Sequence, residues 1–179
     1  MAGHFQTGVR LQPGSLLIAT PRITQQPWRR SVIMLTETKK QQVMGIILNC
    51  STMMTTDDVT DFAIPRKQIH VGGPIQNSAL FMLHTAEFQS SNTLNFHTNW
   101  ALSSDTLMFE KLSFGQEPAW YRFYMGAAGW HPKQLERELA EQSWLVLPNP
   151  SYELISADTD DQWQLAVDTC SQNMFADYL

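Results

Sequence analysis

Cys50 is the residue type best suited to nucleophilic chemistry, since it follows an apolar run that ends at Asn49 and a thiol is an intrinsically strong nucleophile. A catalytic thiol also needs a base within reach, which a sequence does not show. His84 is the second residue on which an enzymatic role could rest. His70, His84 and His131 raise the question of a metal, because imidazole is the commonest metal ligand. No two of them share the i, i+4 spacing of a helical zinc motif, and no cysteine or carboxylate cluster completes a set. They read as structural histidines, and neither a metal nor another cofactor is expected. Ser15 and Ser31 stand at strand starts without the Gly-x-Ser-x-Gly elbow of a hydrolase.

Two glycine corners offer binding chemistry instead. Gly72-Gly73-Pro74 could turn backbone N–H groups toward an anion, but Pro74 removes one donor and the next element reads as loop and strand, so a tight turn is the better expectation. At least one glycine of this pair should need a positive φ. In Gly126-Ala127-Ala128-Gly129-Trp130-His131-Pro132, the tryptophan between glycine and a His-Pro helix start is either core or the wall of a groove. Trp28-Arg29-Arg30 is the one dense basic cluster, and it reads as a strand entry with snorkelling side chains.

The elements that would position these residues follow from apolar runs and their punctuation. Residues 15–20 form a buried strand stopped by Pro21, and 31–36 and 43–49 form a hairpin across the polar stretch 37–42. Thr55 or Thr56 caps a short helix whose first turn carries Asp57 and Asp58. Residues 68–71 enter the first corner and 80–84 leave it as strands. The polar stretch 87–100 is expected to be a surface excursion with at most one weak strand. Ser103 or Ser104 should cap a helix over 105–112. The aromatic strand 121–125 runs into the second corner, and Pro132 opens a helix with Leu135 and Leu139 inward. Residues 144–147 and 152–155 read as strands, and Asp160 as the cap of a last helix. Its Trp163, Ala166, Val167 and Cys170 fall at i, i+3, i+4 and i+7.

The chain has 179 residues, enough for one domain with a real core. A tail over 1–13, a single domain over 14–170 and a tail over 171–179 are expected. Hydrophobic residues make up 43% and charged residues 16%, so the segment is not disordered. The net charge is −5, with only 12 Lys and Arg, which opposes a broad hold on nucleic acid or anionic lipid. Cys50 and Cys170 are in no ligand or redox spacing, and free thiols suit a cytoplasmic location. Neither a secretory signal nor a membrane span is visible.

Taken in order, Gly14-Ser15-Leu16-Leu17-Ile18-Ala19-Thr20-Pro21, Arg30-Ser31-Val32-Ile33, Gly45-Ile46-Ile47-Leu48-Asn49, His70-Val71-Gly72-Gly73-Pro74-Ile75 and Leu83-His84 resemble the YqgE/AlgH family, also called UPF0301. Ser104-Asp105, Gly126-Ala127-Ala128-Gly129-Trp130, Gln134-Leu135-Glu136-Arg137-Glu138-Leu139 and Trp144-Leu145 continue the match. The resemblance implies a single α/β domain of α+β type, with a mostly antiparallel sheet, a small barrel-like β core and flanking helices. It also implies a cytoplasmic protein of a group often labelled transcriptional regulators, a label that does not establish a molecular activity. The sequence departs from the family pattern at three places. Lys133 stands where glycine is usual, Ala127 where an aromatic is usual, and Asn49-Cys50-Ser51 replaces an Asn-Arg-Pro or Asn-Lys-Pro element.

These readings point to a non-catalytic regulatory or binding protein that holds a small molecule or a protein segment. The candidate contact residues are Pro21, Arg30 and Asn49, the corner Gly72, Gly73 and Pro74, and His84. Gly129, Trp130 and Gln134 complete the set. The alternatives are a regulator that binds nucleic acid directly, opposed by charge and by the lack of a helix-turn-helix pattern, and an enzyme using Cys50 or His84.

Overall fold

The computed structural model describes residues 3–4, 10–176 and 178. Its strands are β1 (Gly3–His4), β2 (Arg10–Leu11), β3 (Leu16–Ala19), β4 (Val32–Thr38), β5 (Val43–Ile47), β6 (Ser51–Thr55), β7 (Gln68–Val71), β8 (Ile75–Thr85), β9 (Trp100–Ser103), β10 (Tyr121–Trp130) and β11 (Trp144–Leu147). The helices are α1 (Thr106–Ser113), α2 (Pro132–Ala140), α3 (Tyr152–Ser156) and α4 (Thr159–Ala176), with a 3-10 turn at Thr56–Asp58.

β10 organises the sheet. Its first half lies between β7, in a parallel pair, and β8, in an antiparallel one, while Ala128 to Trp130 pair antiparallel with β5. The full order is β11-β3-β4-β5-β10-β7-β6, with β8 on β10 and β9 on β8. The sheet is mixed and mostly antiparallel. It does not close, so the expected barrel-like core is realised as an open sheet whose two parts share β10.

Alternation along β10 distributes its side chains, because successive strand residues face opposite ways. Tyr124 joins the cluster of Leu16, Ile18, Val32 and Met34, where α4 adds Ala166 and Cys170. Phe123 joins Ile69, Met82 and the α1 residues Met108 and Leu112. Ala128 and Trp130 face a third cluster with Leu17, Ile33 and Trp144, covered by Leu135 and Leu139 of α2. Burying each leucine of that last helix is worth about 2 kcal/mol.

Several expected elements change. Residues 152–155 form α3 and not a strand, because Ser151 accepts the Leu154 N–H at its side chain and starts a helical turn directly after Pro150. Asp105, not Ser103 or Ser104, caps α1 by accepting from the Met108 N–H at 2.8 Å. Asp158, not Asp160, precedes α4 and accepts the Asp160 N–H at 3.0 Å. The stretch 87–100 has an isolated bridge from Leu94 to Leu102 and ends at the unexpected strand β9. β6 is likewise a strand without a sequence signal, since its Met53 and Met54 are exposed and show no buried alternation. Leu11, within the expected 1–13 tail, is fully buried, while residues 1, 2 and 5–9 lie outside the described residues. α4 runs on through Cys170 to Ala176, with 177 and 179 outside the described residues.

Candidate functional site

The two glycine corners meet back to back. Gly72 donates its N–H to the Met125 carbonyl at 2.7 Å, and the Gly72 carbonyl accepts from Ile47 N–H at 2.8 Å. Gly73 has φ of +148° and Gly126 has φ of +75°, where the register of β10 against β8 shifts. A Cβ at Gly72 would meet the Gly126 carbonyl, and one at Gly73 the Ala127 peptide. Glycine is required on both sides of this crossing because two backbones occupy the space of side chains. Gly72 and Gly73 are buried and Pro74 is exposed at the edge of the turn. Across the corner β10 leaves β7 and β8 and pairs with β5, ending at Gly129 and Trp130.

That end forms one wall of a groove of about 420 Å³. Trp28, Gly129, Trp130, Gln134, Glu138 and Trp144 line it, with the 22–25 segment as the opposite rim. Trp130 stands 6.0 Å from both Trp28 and Trp144, centroid to centroid, tilted to the first and edge-on to the second. Glu138 Oε2 accepts from Trp130 Nε1 at 3.1 Å and from Trp144 Nε1 at 2.8 Å, and its Oε1 accepts from Gln134 Nε2 at 2.9 Å. One carboxylate thus fixes two indoles and one amide. Helix α2 supplies it: His131 accepts the Lys133 N–H at its start, and Pro132 occupies the first turn. Trp130 is only 5% exposed, so it is core on one side and groove wall on the other.

Pro21 and Arg30 lie elsewhere on the 20–31 loop, and Asn49, between β5 and β6, meets that loop through its side chain. Pro21 and Arg30 line a cavity of about 350 Å³, and Arg30 and Asn49 line a neighbouring one of about 290 Å³ with Cys50 and Trp163. Arg30 adopts φ of +53°, a conformation rare for a side-chain-bearing residue, and its guanidinium lies 5.2 Å over the Trp163 ring. Asn49 holds that conformation, donating to the Arg30 carbonyl at 2.8 Å and accepting from Val32 N–H at 2.9 Å. Ile23 and Thr24 line both the tryptophan groove and the Pro21 cavity, which joins the two groups through one loop.

His84 stands apart. It is fully buried, with Nδ1 2.9 Å from the Thr85 carbonyl and Nε2 2.8 Å from the Ser103 hydroxyl. Burial lowers its pKa, and its contacts are structural. Cys50 is half-buried and free, and burial pushes its thiol up, opposite to the shift that activates a nucleophile. Among the described residues no group of three or more His, Cys, Asp or Glu is placed to hold a metal ion.

The AlgH-like family model matches residues 16–174. The chain belongs to the AlgH-like family. A UPF0301 protein of Shewanella loihica is 30% identical over 163 residues, covering 86% of this chain and 88% of its own. One of Rickettsia typhi is 31% identical over 165 residues, covering 86% of each. The solution structure of the AlgH protein from Pseudomonas aeruginosa superposes with a TM-score of 0.73 at 25% identity over 87% of each chain. A crystal structure from Corynebacterium diphtheriae shares the fold, with a TM-score of 0.74 at 20% identity over 89% of this chain and 87% of its own. For this AlgH-like chain the groove residues absent from the candidate contact set are Trp28, Glu138 and Trp144. Gln134 and Glu138 are separated by one helical turn, which places them on the same face and is the signal that could have found the pair.

Proposed function

We propose that this AlgH-like protein is a non-catalytic binding protein that holds a small molecule in the groove between α2 and the 20–31 loop, and regulates through that occupancy. The observation that carries this reading is the pair of indoles, Trp130 and Trp144, fixed by Glu138 beside the ring of Trp28. A groove of about 420 Å³ has the size of a small-molecule site, and such sites combine apolar walls with a few fixed polar groups. Trp28 offers a half-buried ring for stacking, while Arg22, Gln25, Glu141 and Ser143 provide polar contacts around it. A planar ring with a polar substituent suits this lining. Because the 20–31 loop also walls the Pro21 and Arg30 cavity, ligand in the groove would bias that loop and its outer surface. The free thiols of Cys50 and Cys170 support action in the cytoplasm. No helix among the described residues is long and apolar enough to cross a membrane.

The test is a thermal-shift screen of planar heteroaromatic amines and carboxylates, repeated on Trp28→Ala. A compound that raises the melting temperature of the parent protein and not of the variant supports the reading. A screen in which stabilising compounds act equally on both contradicts it.

A further inference from the structure

On a different part of the molecule, independent of the groove, a polar cavity of about 350 Å³ lies between β7, the start of β10 and the first turn of α4. Lys67, His70, Arg122, Asp158 and Thr159 are among its lining residues. His70 is 4% exposed, and its Nδ1 has no hydrogen-bond partner among the described residues; the same holds for the buried Nη1 of Arg122. Leaving such groups unpaired costs about 1–3 kcal/mol each, so two on residues that line one cavity require an explanation.

The surrounding geometry fits one class of occupant. Arg122 lies 5.1 Å over the Trp120 ring and donates from Nη2 to the Ala157 carbonyl at 3.1 Å, which holds the guanidinium still. Lys67 Nζ lies 4.3 Å from the Tyr121 ring centroid and adds a second positive charge. The 18-residue helix α4 begins at this cavity, with the positive end of its dipole there. Burial and the neighbouring Arg122 lower the pKa of His70 to about 4, so at neutral pH its ring is an uncharged hydrogen-bonding group. Against these stands the carboxylate of Asp158, already engaged by the Asp160 N–H. Two fixed cations and one anion disfavour a metal ion and favour an oxyanion.

We propose that this cavity binds a phosphate group, with Arg122 and Lys67 neutralising it, His70 Nδ1–H donating to one oxygen and the start of α4 supplying the remaining field. Phosphate accepts several hydrogen bonds, which suits the unpartnered Nη1 of Arg122 and, in its Nδ1-protonated tautomer, the ring of His70. The source is either inorganic phosphate or a small phosphomonoester.

The experiment is a two-dimensional NMR titration of the full chain at low ionic strength with inorganic phosphate, with glycerol phosphate, and with acetate as the weaker oxyanion. Saturable shifts at the His70 ring nitrogens, at Arg122 Nε–H and at the amides of residues 158–161 are expected, with acetate weaker. Lys67→Gln should weaken phosphate binding by about fivefold or more, and Asp158→Asn should tighten it. Tighter binding of glycerol phosphate than of phosphate identifies a phosphomonoester; equal or weaker binding identifies the free ion. Both support the site. Non-saturating shifts spread over Arg29, Arg30 and other surface cations, or affinities unchanged in Lys67→Gln and Asp158→Asn, would overturn it. So would a response confined to a short DNA duplex. Lys67 and Asp158 sit at the periphery of the fold, so these variants remain informative if an Arg122 variant fails to fold.

Discussion

Trp130 and Trp144 stand edge to face at 6.0 Å, and both indole N–H groups donate to the same carboxylate oxygen of Glu138. A strand end, an edge strand and a helix are thereby tied at one point beside the groove. Glu138→Ala removes the acceptor for two buried donors and should cost about 2 kcal/mol, measured by chemical denaturation. The Trp130 and Trp144 Nε1–H signals should shift together. Independent responses of the two indoles would show that the carboxylate does not couple them.

The glycine crossing predicts a graded response to alanine. At Gly72, Gly73 and Gly126 a Cβ would strike backbone atoms of the opposite corner, whereas at Gly115, with φ of +78°, it would meet open space. Alanine at any of the three should cost more than about 2 kcal/mol, and at Gly115 about 1 kcal/mol from backbone conformation alone. Thermal unfolding of the four variants decides this; equal losses at all four would remove the steric account.

His70 predicts a pH dependence of stability. Its folded pKa of about 4 lies below the ordinary 6.5, so as pH falls through 6.5 the unfolded chain takes up a proton that the folded chain refuses. Stability should fall between pH 6.5 and 4, by up to about 3 kcal/mol, and change no further from this group below its folded pKa. Burial lowers the pKa of His84 too, which adds loss of the same sign. Equilibrium unfolding across this range should show a shallower slope in His70→Gln than in the parent, and identical slopes would contradict the assignment.

Asp105 predicts a loss confined to α1 and the loop before it. Its carboxylate accepts from Met108 N–H at 2.8 Å, Asn92 N–H at 2.8 Å and the Ser90 hydroxyl at 2.5 Å. Asp105→Ala should cost about 1–2 kcal/mol and raise amide exchange over residues 90–92 and 106–109. Unchanged exchange there would mean the loop is held by other contacts.

What could be read from the sequence was what neighbouring residues decide. The runs at 15–20, 31–36 and 43–49, the Pro132 start of α2 and the Trp163 to Cys170 spacing carry their structure locally, and each appears as β3, β4, β5, α2 and α4. β9 was not legible because its identity depends on pairing Trp100 to Ser103 with β8. Residues 152–155 look β-like until the Ser151 cap is weighed. At the site, the corners were legible as unusual backbone, but not their contact with each other, which joins distant segments. Trp130 divides between the two alternatives offered by its position, since it is both core and groove wall. Consequently Trp130→Ala should lower stability by about 3–5 kcal/mol, and Trp28 is the better probe of binding alone. His70 and Arg122 share a cavity only because β7 and β10 pair in parallel.

The measurement that most directly tests the binding account is an NMR titration that follows the indole Nε1–H signals of Trp28, Trp130 and Trp144 with a compound selected by the thermal-shift screen. The account predicts saturable shifts of all three indoles at one dissociation constant, and at least about a tenfold loss of affinity in Trp28→Ala with cooperative unfolding preserved. Saturation that leaves these three indoles unmoved, or that survives Trp28→Ala unchanged, would contradict it.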